Sequence, residues 1–308
     1  MTTTRLVCCI QLSALLLAGC LDTQTQDSHD PPLVYSAEPT AASEADEAYD
    51  PASNPKITAT LYAQSAAEHH ASTRTIYMAA KLQLPAALKD QAWAAALEQG
   101  EDAADKPVAV ILDVDETVLD NSPYQVQAIN EDLQHPEGWD AWCELEAAEP
   151  VAGALEFTTF AASQGVTVFY VTNRDSKLEA STRANLVAAG FPVAEDIDVV
   201  LTKNERPEWT SDKSSRRALV AQDYRILMLF GDQLGDFTGG DAAKGKTPAE
   251  RDAVVEAHAQ RWGTQWFMLP NPEYGAWDSV TYGHDYDQSE RSKTAARLKA
   301  MHGPPASE

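Results

Sequence analysis

Several stretches of this chain set charged or hydroxyl side chains directly behind short apolar runs. Val108 to Leu112 leads straight into Asp113, Val114, Asp115, Glu116 and Thr117. Val166 to Val171 is followed by Thr172, Asn173 and Arg174, and Arg225 to Phe230 by Gly231-Asp232-Gln233-Leu234-Gly235-Asp236-Phe237. Lys213 lies in Asp212-Lys213-Ser214-Ser215-Arg216, ahead of the last of these runs. Charge so close behind a buried strand is costly unless a metal ion or hydrogen bonds compensate it. Ligands of open α/β sheets gather at the carboxyl ends of strands. In a parallel sheet those ends face one side, so the acids, Thr172 and Lys213 would share one crevice. Carboxylates there suit a hard divalent cation. An acidic loop that merely ends a strand is the plain alternative. A calcium loop of EF-hand type is excluded, because Gly is needed at its sixth position and Glu at its twelfth; counted from Asp113 these are Val118 and Tyr124.

The elements that must position these groups follow from periodicity. The short β-branched run after Pro107 reads as a buried strand of a parallel sheet. Further strands are predicted over 166–171, 197–201, 225–230 and 265–269, and helices over 153–164, 178–189, 212–222 and 248–262. Their alternation implies one α/β domain over 56–302 with a Rossmann-like, doubly wound parallel sheet. Ahead of the first strand, apolar residues at helical spacing from Ile57 predict a helix up to Pro85, and a second from Ala86 to Leu97 that ends at Gly100. Residues 121–150 carry Trp139, Trp142 and many acids without strand periodicity. Together with residues 56–100 they read as a small α-helical subdomain or cap. His69 and His70 are adjacent and would point about 100° apart on a helix, which favours a structural role over a metal site.

The remainder of the chain bears on location. The formal charge of −24, from 23 basic and 47 acidic residues, argues against nonspecific nucleic-acid binding. An anionic substrate would need a locally positive pocket, which a divalent cation and one or two bases would supply. Residues 1–19 read as a signal segment: Arg5, a short apolar run from Leu6 to Leu17, then Leu17-Ala18-Gly19-Cys20. That last tetrapeptide resembles a bacterial lipobox, which makes Cys20 the expected lipidation site and mature N-terminus. An ordinary secretory signal is the alternative. Several acyl chains suffice for stable membrane anchoring, so the expected location is the bacterial cell envelope, and Leu21 is compatible with the outer membrane. Residues 21–55 hold five prolines, eight acids and no Lys or Arg, so 20–55 is read as a disordered tether and 303–308 as a frayed tail. Cys143 is then the one thiol left in the exported domain, expected to be partly buried near Trp139 and Trp142.

The motifs DVDET, VTNR, DKS and GDQLGDF, in this order, resemble the four motifs of the haloacid dehalogenase superfamily of phosphatases. The longer ILDVDETVLDNSPY and FGDQLGDF are similar to the paired DDDD signature of the bacterial class C nonspecific acid phosphatases, some of which act as 5′-nucleotidases. The resemblance covers about residues 56–285 and departs at Gln233, where Asn is commoner. It implies a haloacid dehalogenase-like fold and a phosphomonoesterase acting through an aspartyl-phosphate. Asp113 would be the nucleophile and Asp115 the general acid and base. Mg2+ would be held by Asp113, the backbone carbonyl of Asp115 and Asp232, with Asp236 as ligand or close support. Thr172 and Lys213 would bind phosphoryl oxygens. Asn173 and Arg174 are candidate substrate contacts, and a structural pairing of Arg174 with Asp175 or its neighbours is an equal alternative. Trp142 and Tyr274, ahead of Trp139 and Tyr124, are candidates for stacking on a nucleobase or aromatic leaving group. A phosphotransferase of the same superfamily and a catalytically idle surface binding or storage protein are the alternative functions.

Overall fold

The computed structural model describes residues 49–303. The signal segment 1–19, Cys20, most of the tether and the tail beyond 303 lie outside the described residues. Within them, five strands form one parallel sheet: β1 (Val108–Leu112), β4 (Thr167–Asp175), β5 (Val200–Lys203), β6 (Arg225–Gly231) and β7 (Trp266–Met268), in the order β5-β4-β1-β6-β7. β1 lies at the centre, parallel to β4 on one side and β6 on the other. Central parallel strands are covered on both faces and must be apolar throughout; every residue of β6 is buried, and Ala109 to Leu112 are buried as well. A two-rung antiparallel pair, β2 (Leu119–Asp120) with β3 (Glu149–Pro150), forms a stem below an inserted segment.

Helices flank this sheet. They are α1 (Ile57–Ser65), α2 (Ala67–Lys89), α3 (Ser122–Glu131), α4 (Trp139–Glu144), α5 (Ala154–Ser163), α6 (Glu179–Ala188), α7 (Ser214–Asp223), α8 (Gly240–Lys244), α9 (Pro248–Ala257), α10 (Ala276–Ser279) and α11 (Glu290–Ala300). α2 packs on α5 and on β6 and β7. Its Tyr77 stacks on Phe230 of β6, with ring centroids 5.5 Å apart, and Phe230 stacks in turn on Phe267 at 5.0 Å. Phe230→Ala would cost about 3–5 kcal/mol by emptying the middle of this layer.

Four expectations change. The helix predicted to stop at Pro85 continues to Lys89. Pro85 lies on the exposed face within four residues of the end, whereas Leu84 and Ala87 are fully buried; packing outweighs the lost backbone hydrogen bond. The second helix, 86–97, does not form as such. After Lys89 the chain turns into an irregular segment that pairs with β6 through backbone and side chain: Ala95 N donates to Ile226 O at 2.8 Å, and the Trp93 indole Nε1 to Leu227 O at 2.8 Å. The helical subdomain is therefore smaller than 56–100 plus 121–150. α1 packs on α3 of the insert, but α2 belongs to the sheet layer. Finally, residues 49–55 are not loose tether: Tyr49 Oη donates to Ile129 O at 2.6 Å, and Asp50 caps a short turn over Pro51–Ser53.

Candidate active site

The carboxyl ends of β1 and β6 bring three acids together. One carboxylate oxygen each from Asp113, Asp232 and Asp236 lies within 4.8 Å of the others, which makes this a candidate cation site. Lys213, just ahead of α7, reaches into the group: its Nζ lies 2.5 Å from Asp113 Oδ1 and 2.6 Å from Asp236 Oδ1. All four side chains are buried. Burial pulls the Lys213 ammonium down, but Asp113 and Asp236 outweigh it and hold it above its ordinary range. Burial raises the Asp113 carboxyl well above the usual range; Lys213 opposes this, and the neighbouring carboxylates add to it. Burial and Asp236 likewise push Asp232 up to about 6. One ammonium among three carboxylates leaves an excess of buried negative charge, and an all-oxygen donor set of this kind suits a divalent cation.

Each acid is also held by donors of its own loop or of a neighbouring one. Asp113 Oδ1 accepts from Val114 N at 2.7 Å, and Asp232 Oδ2 accepts from Gln233 Nε2 at 2.8 Å and Asn271 Nδ2 at 2.7 Å. Asp236 Oδ2 accepts from Gln233 N at 2.9 Å. Gly231 makes this turn possible, since a Cβ there would meet the Asp236 side chain at 2.2 Å. Gln233, the departure from the commoner Asn, uses both ends of its amide: Nε2 serves Asp232 and Tyr274 O, and Oε1 accepts from Ala276 N at 3.1 Å, tying the loop of Tyr274 to the site.

Three basic side chains from the start of α7 secure three different loops. Beside Lys213, the fully buried Arg216 donates to Thr172 O and, at 2.7 Å, to Asn173 Oδ1. Arg217 donates to Gly235 O at 3.0 Å and Asp236 O at 3.1 Å, and its other side is paired to Glu98 at 2.7 Å. Thr172 is buried within β4 with Oγ1 accepting from Arg174 N at 3.1 Å, and Asn173 is exposed beside it.

Asp115 stands apart from the three-acid group. Its Oδ1 accepts from Arg174 Nε at 2.9 Å and from Asn121 Nδ2 at 2.9 Å, and Arg174 Nη2 completes the ion pair 2.8 Å from the same oxygen. Arg174 is 1% exposed, so the expected substrate contact is replaced by an internal one: this guanidinium holds Asp115, not Asp175. The reason is strand length. β4 runs on to Asp175, and side-chain alternation turns Asn173 outward and Arg174 inward. Trp142 is likewise not a stacking platform. Its buried indole donates from Nε1 to Asn121 Oδ1 at 2.8 Å. Tyr124 is buried, with Oη donating to Glu137 O at 2.9 Å, and Trp139 packs edge-on against its ring. Tyr274 is half-buried, its carbonyl accepting from Gln233 Nε2 at 3.3 Å. Cys143 is buried and its thiol pushed up to about 12 by that burial, which removes it as a nucleophile. Sequence reasoning missed Asn121, Asn271, Arg216 and Arg217. Arg216 and Arg217 stood in the DKSSRR run, but nothing in the spacing said which loops they would reach.

Known proteins resemble this chain in sequence and fold. A sequence model of the family described as HAD superfamily, subfamily IIIB (Acid phosphatase), matches residues 49–277. The class C acid phosphatase from Bacillus anthracis, also solved with tungstate bound, is 30% identical, with 80% of this chain and 97% of that chain covered and a TM-score of 0.70. Among curated proteins, the Stem 31 kDa glycoprotein of Glycine max is 29% identical over 171 residues, 53% of this chain and 58% of that protein. Acid phosphatase 1 of Solanum lycopersicum is 29% identical over 153 residues, 48% of this chain and 57% of that protein. The matches thus span less than two thirds of these curated relatives. With the family model covering most of the described residues, the chain belongs to the HAD superfamily, subfamily IIIB, the acid phosphatase subfamily.

Proposed function

We propose that this protein is a metal-dependent acid phosphatase that hydrolyses phosphomonoesters through an aspartyl-phosphate on Asp113. The observation that carries this reading is the buried group of Asp113, Asp232 and Asp236 with Lys213 touching two of them. A carboxylate can approach an anionic phosphate only where its own charge and that of the phosphate are offset. Asp113, Asp232 and the carbonyl of Asp115 would hold the ion, taken to be Mg2+, with Asp236 as a further ligand or support. When bound, the ion supplies positive charge that offsets the phosphate and the crowded acids.

In the first step a carboxylate oxygen of Asp113 attacks phosphorus. The bond to the ester oxygen breaks, and Asp115 gives that oxygen its proton. In the second step Asp115, now a carboxylate, takes a proton from water, whose oxygen attacks the same phosphorus and releases phosphate and Asp113. Lys213 and Thr172 stabilise charge on the phosphoryl oxygens. Arg216 donates to Thr172 O and so fixes the stretch of β4 from which the Thr172 hydroxyl would act. Tyr274, half-buried beside Gln233, supports aromatic esters and 5′-nucleotides as substrates. The sequence Leu17-Ala18-Gly19-Cys20 supports action outside the cytoplasm on a lipid anchor in the cell envelope.

The test is phosphate release from a nucleoside monophosphate and a small aryl phosphate, with Mg2+ and with chelator, for the native chain and Asp113→Asn. Release that chelator and the substitution both abolish is expected. Release that survives either one would overturn the mechanism.

A further inference from the structure

We infer that Arg174 and Asn121 are a positioning pair that fixes which oxygen of Asp115 delivers the proton to the leaving group. This rests on the proposed reading of Asp115 as the proton donor. Two N–H donors converge on Oδ1 of Asp115, Arg174 Nε at 2.9 Å and Asn121 Nδ2 at 2.9 Å, and the charged Arg174 Nη2 lies 2.8 Å from the same oxygen. Among the described residues none donates to Oδ2. An oxygen ringed by donors has no room for a hydrogen of its own, since donor would face donor. In the proposed reaction the transferred proton is therefore carried on Oδ2, the oxygen that accepts from none of the described residues. In the first step the Oδ2–H bond breaks as the ester P–O bond does, the hydrogen passes to the leaving oxygen, and the electron pair stays on Oδ2.

The pair is fixed from behind. Asn121 Oδ1 accepts from Trp142 Nε1 at 2.8 Å and from Arg174 Nη2 at 3.2 Å. Indole and guanidinium are donors only, so they set the orientation of the amide and force its Nδ2 toward Asp115. Asn121 N donates to Glu116 Oε1 at 3.0 Å, which locks the backbone of the same residue. Arg174 is held by Thr182 Oγ1 at 3.3 Å and lies over the Trp139 ring, 5.5 Å from its centroid. The grip on Asp115 thus draws on β4 and α6 from one side, and on the insert that opens at Asn121 and contains α4 from the other.

Positioning predicts a dependence on the leaving group that mere structural support does not. Esters whose alkoxide must be protonated as it departs need an aimed proton; a nitrophenolate leaves largely unaided. The experiment measures kcat/KM of the Mg2+-loaded full chain on an alkyl phosphate and on p-nitrophenyl phosphate, for Asp115→Asn, Arg174→Gln, Arg174→Lys and Asn121→Ala. General acid catalysis is worth about 10²–10⁴-fold. Arg174→Gln is expected to lose about 100-fold on the alkyl ester and about 10-fold or less on the nitrophenyl ester. Arg174→Lys should recover part of the alkyl loss, and Asn121→Ala should show the same bias on a smaller scale. Equal losses on both esters in folded Arg174→Gln or Asn121→Ala would overturn the positioning role. Where Arg174→Gln does not fold, Asn121→Ala keeps the buried cation and decides alone. Asp115→Asn separates the two readings. If it shows the bias and the other variants do not, positioning fails alone; if it shows none, Asp115 is not the donor and both readings fall.

Discussion

Asp113 and Asp115 are two residues apart on one loop, and their surroundings differ in kind. Asp113 is buried among carboxylates and shares a single ammonium with Asp236. Asp115 is partly exposed and sits in a completed network of donors from Arg174 and Asn121. The first environment is unfinished without a further positive charge; the second is closed at one oxygen and open at the other. Identical side chains can therefore be assigned opposite tasks, attack and proton transfer, by their neighbours alone.

Substitution at Asp113 should produce the largest effect and the sharpest contrast. Asp113→Asn is expected to lower turnover at least ~10³-fold, yet to melt at a higher temperature in chelator. The sign follows from burial: a carboxyl raised in the folded state favours the native state at low pH and loses that advantage as pH rises above its ordinary value of 3.8. The melting gap should therefore widen toward neutral pH, and a variant that melts lower than the native chain in chelator at neutral pH would break the comparison. Mg2+ at about 100 times its dissociation constant should add about 2.7 kcal/mol to the native chain. That affinity should weaken as pH falls through about 6, where Asp232 takes up its proton, as titration calorimetry across the range would read.

Glu273 provides a third carboxylate, one whose burial outweighs the nearby Lys56 and Thr60. It is buried, both oxygens lack a partner, and burial pushes it up to about 7. Native stability from this group is present below its ordinary 4.5 and is lost as pH rises through about 7. Glu273→Gln should accordingly gain about 2–3 kcal/mol at pH of about 8 and little at pH of about 4, as paired denaturant titrations would show. Trp142→Phe should have the smallest effect, about 1 kcal/mol of stability and a few-fold loss of kcat/KM confined to alkyl esters. An unchanged alkyl rate would remove Trp142 from the account of Asp115.

Asp113 and the two acids of GDQLGDF were legible because each follows an apolar run, Lys213 because it opens the helix that leads into the last of those runs, and strand ends of a parallel sheet converge by topology. The sheet was legible for the same reason, since continuous aliphatic runs admit little else. Arg174 was not, because whether it points in or out depends on β4 continuing past Val171, and a polar Thr-Asn-Arg run gives no hint of that. Trp142 was misread because an aromatic in an acidic insert looks the same whether it faces ligand or core. The helix through Pro85 depends on tertiary packing that local propensity does not contain. Asn271 lies 39 residues from the Asp232 it supports, beyond the reach of any local pattern.

The two-rung stem of β2 and β3 has a consequence for descent with modification. An insert joined through so narrow a neck could be exchanged for one of another shape, and so for another clientele of substrates, while the engine beneath stayed intact. The first residue past the neck is the exception. Asn121 belongs to the insert by position and to Asp115 by contact, so a transplant that replaced it would keep the three-acid group and loosen the grip on Asp115.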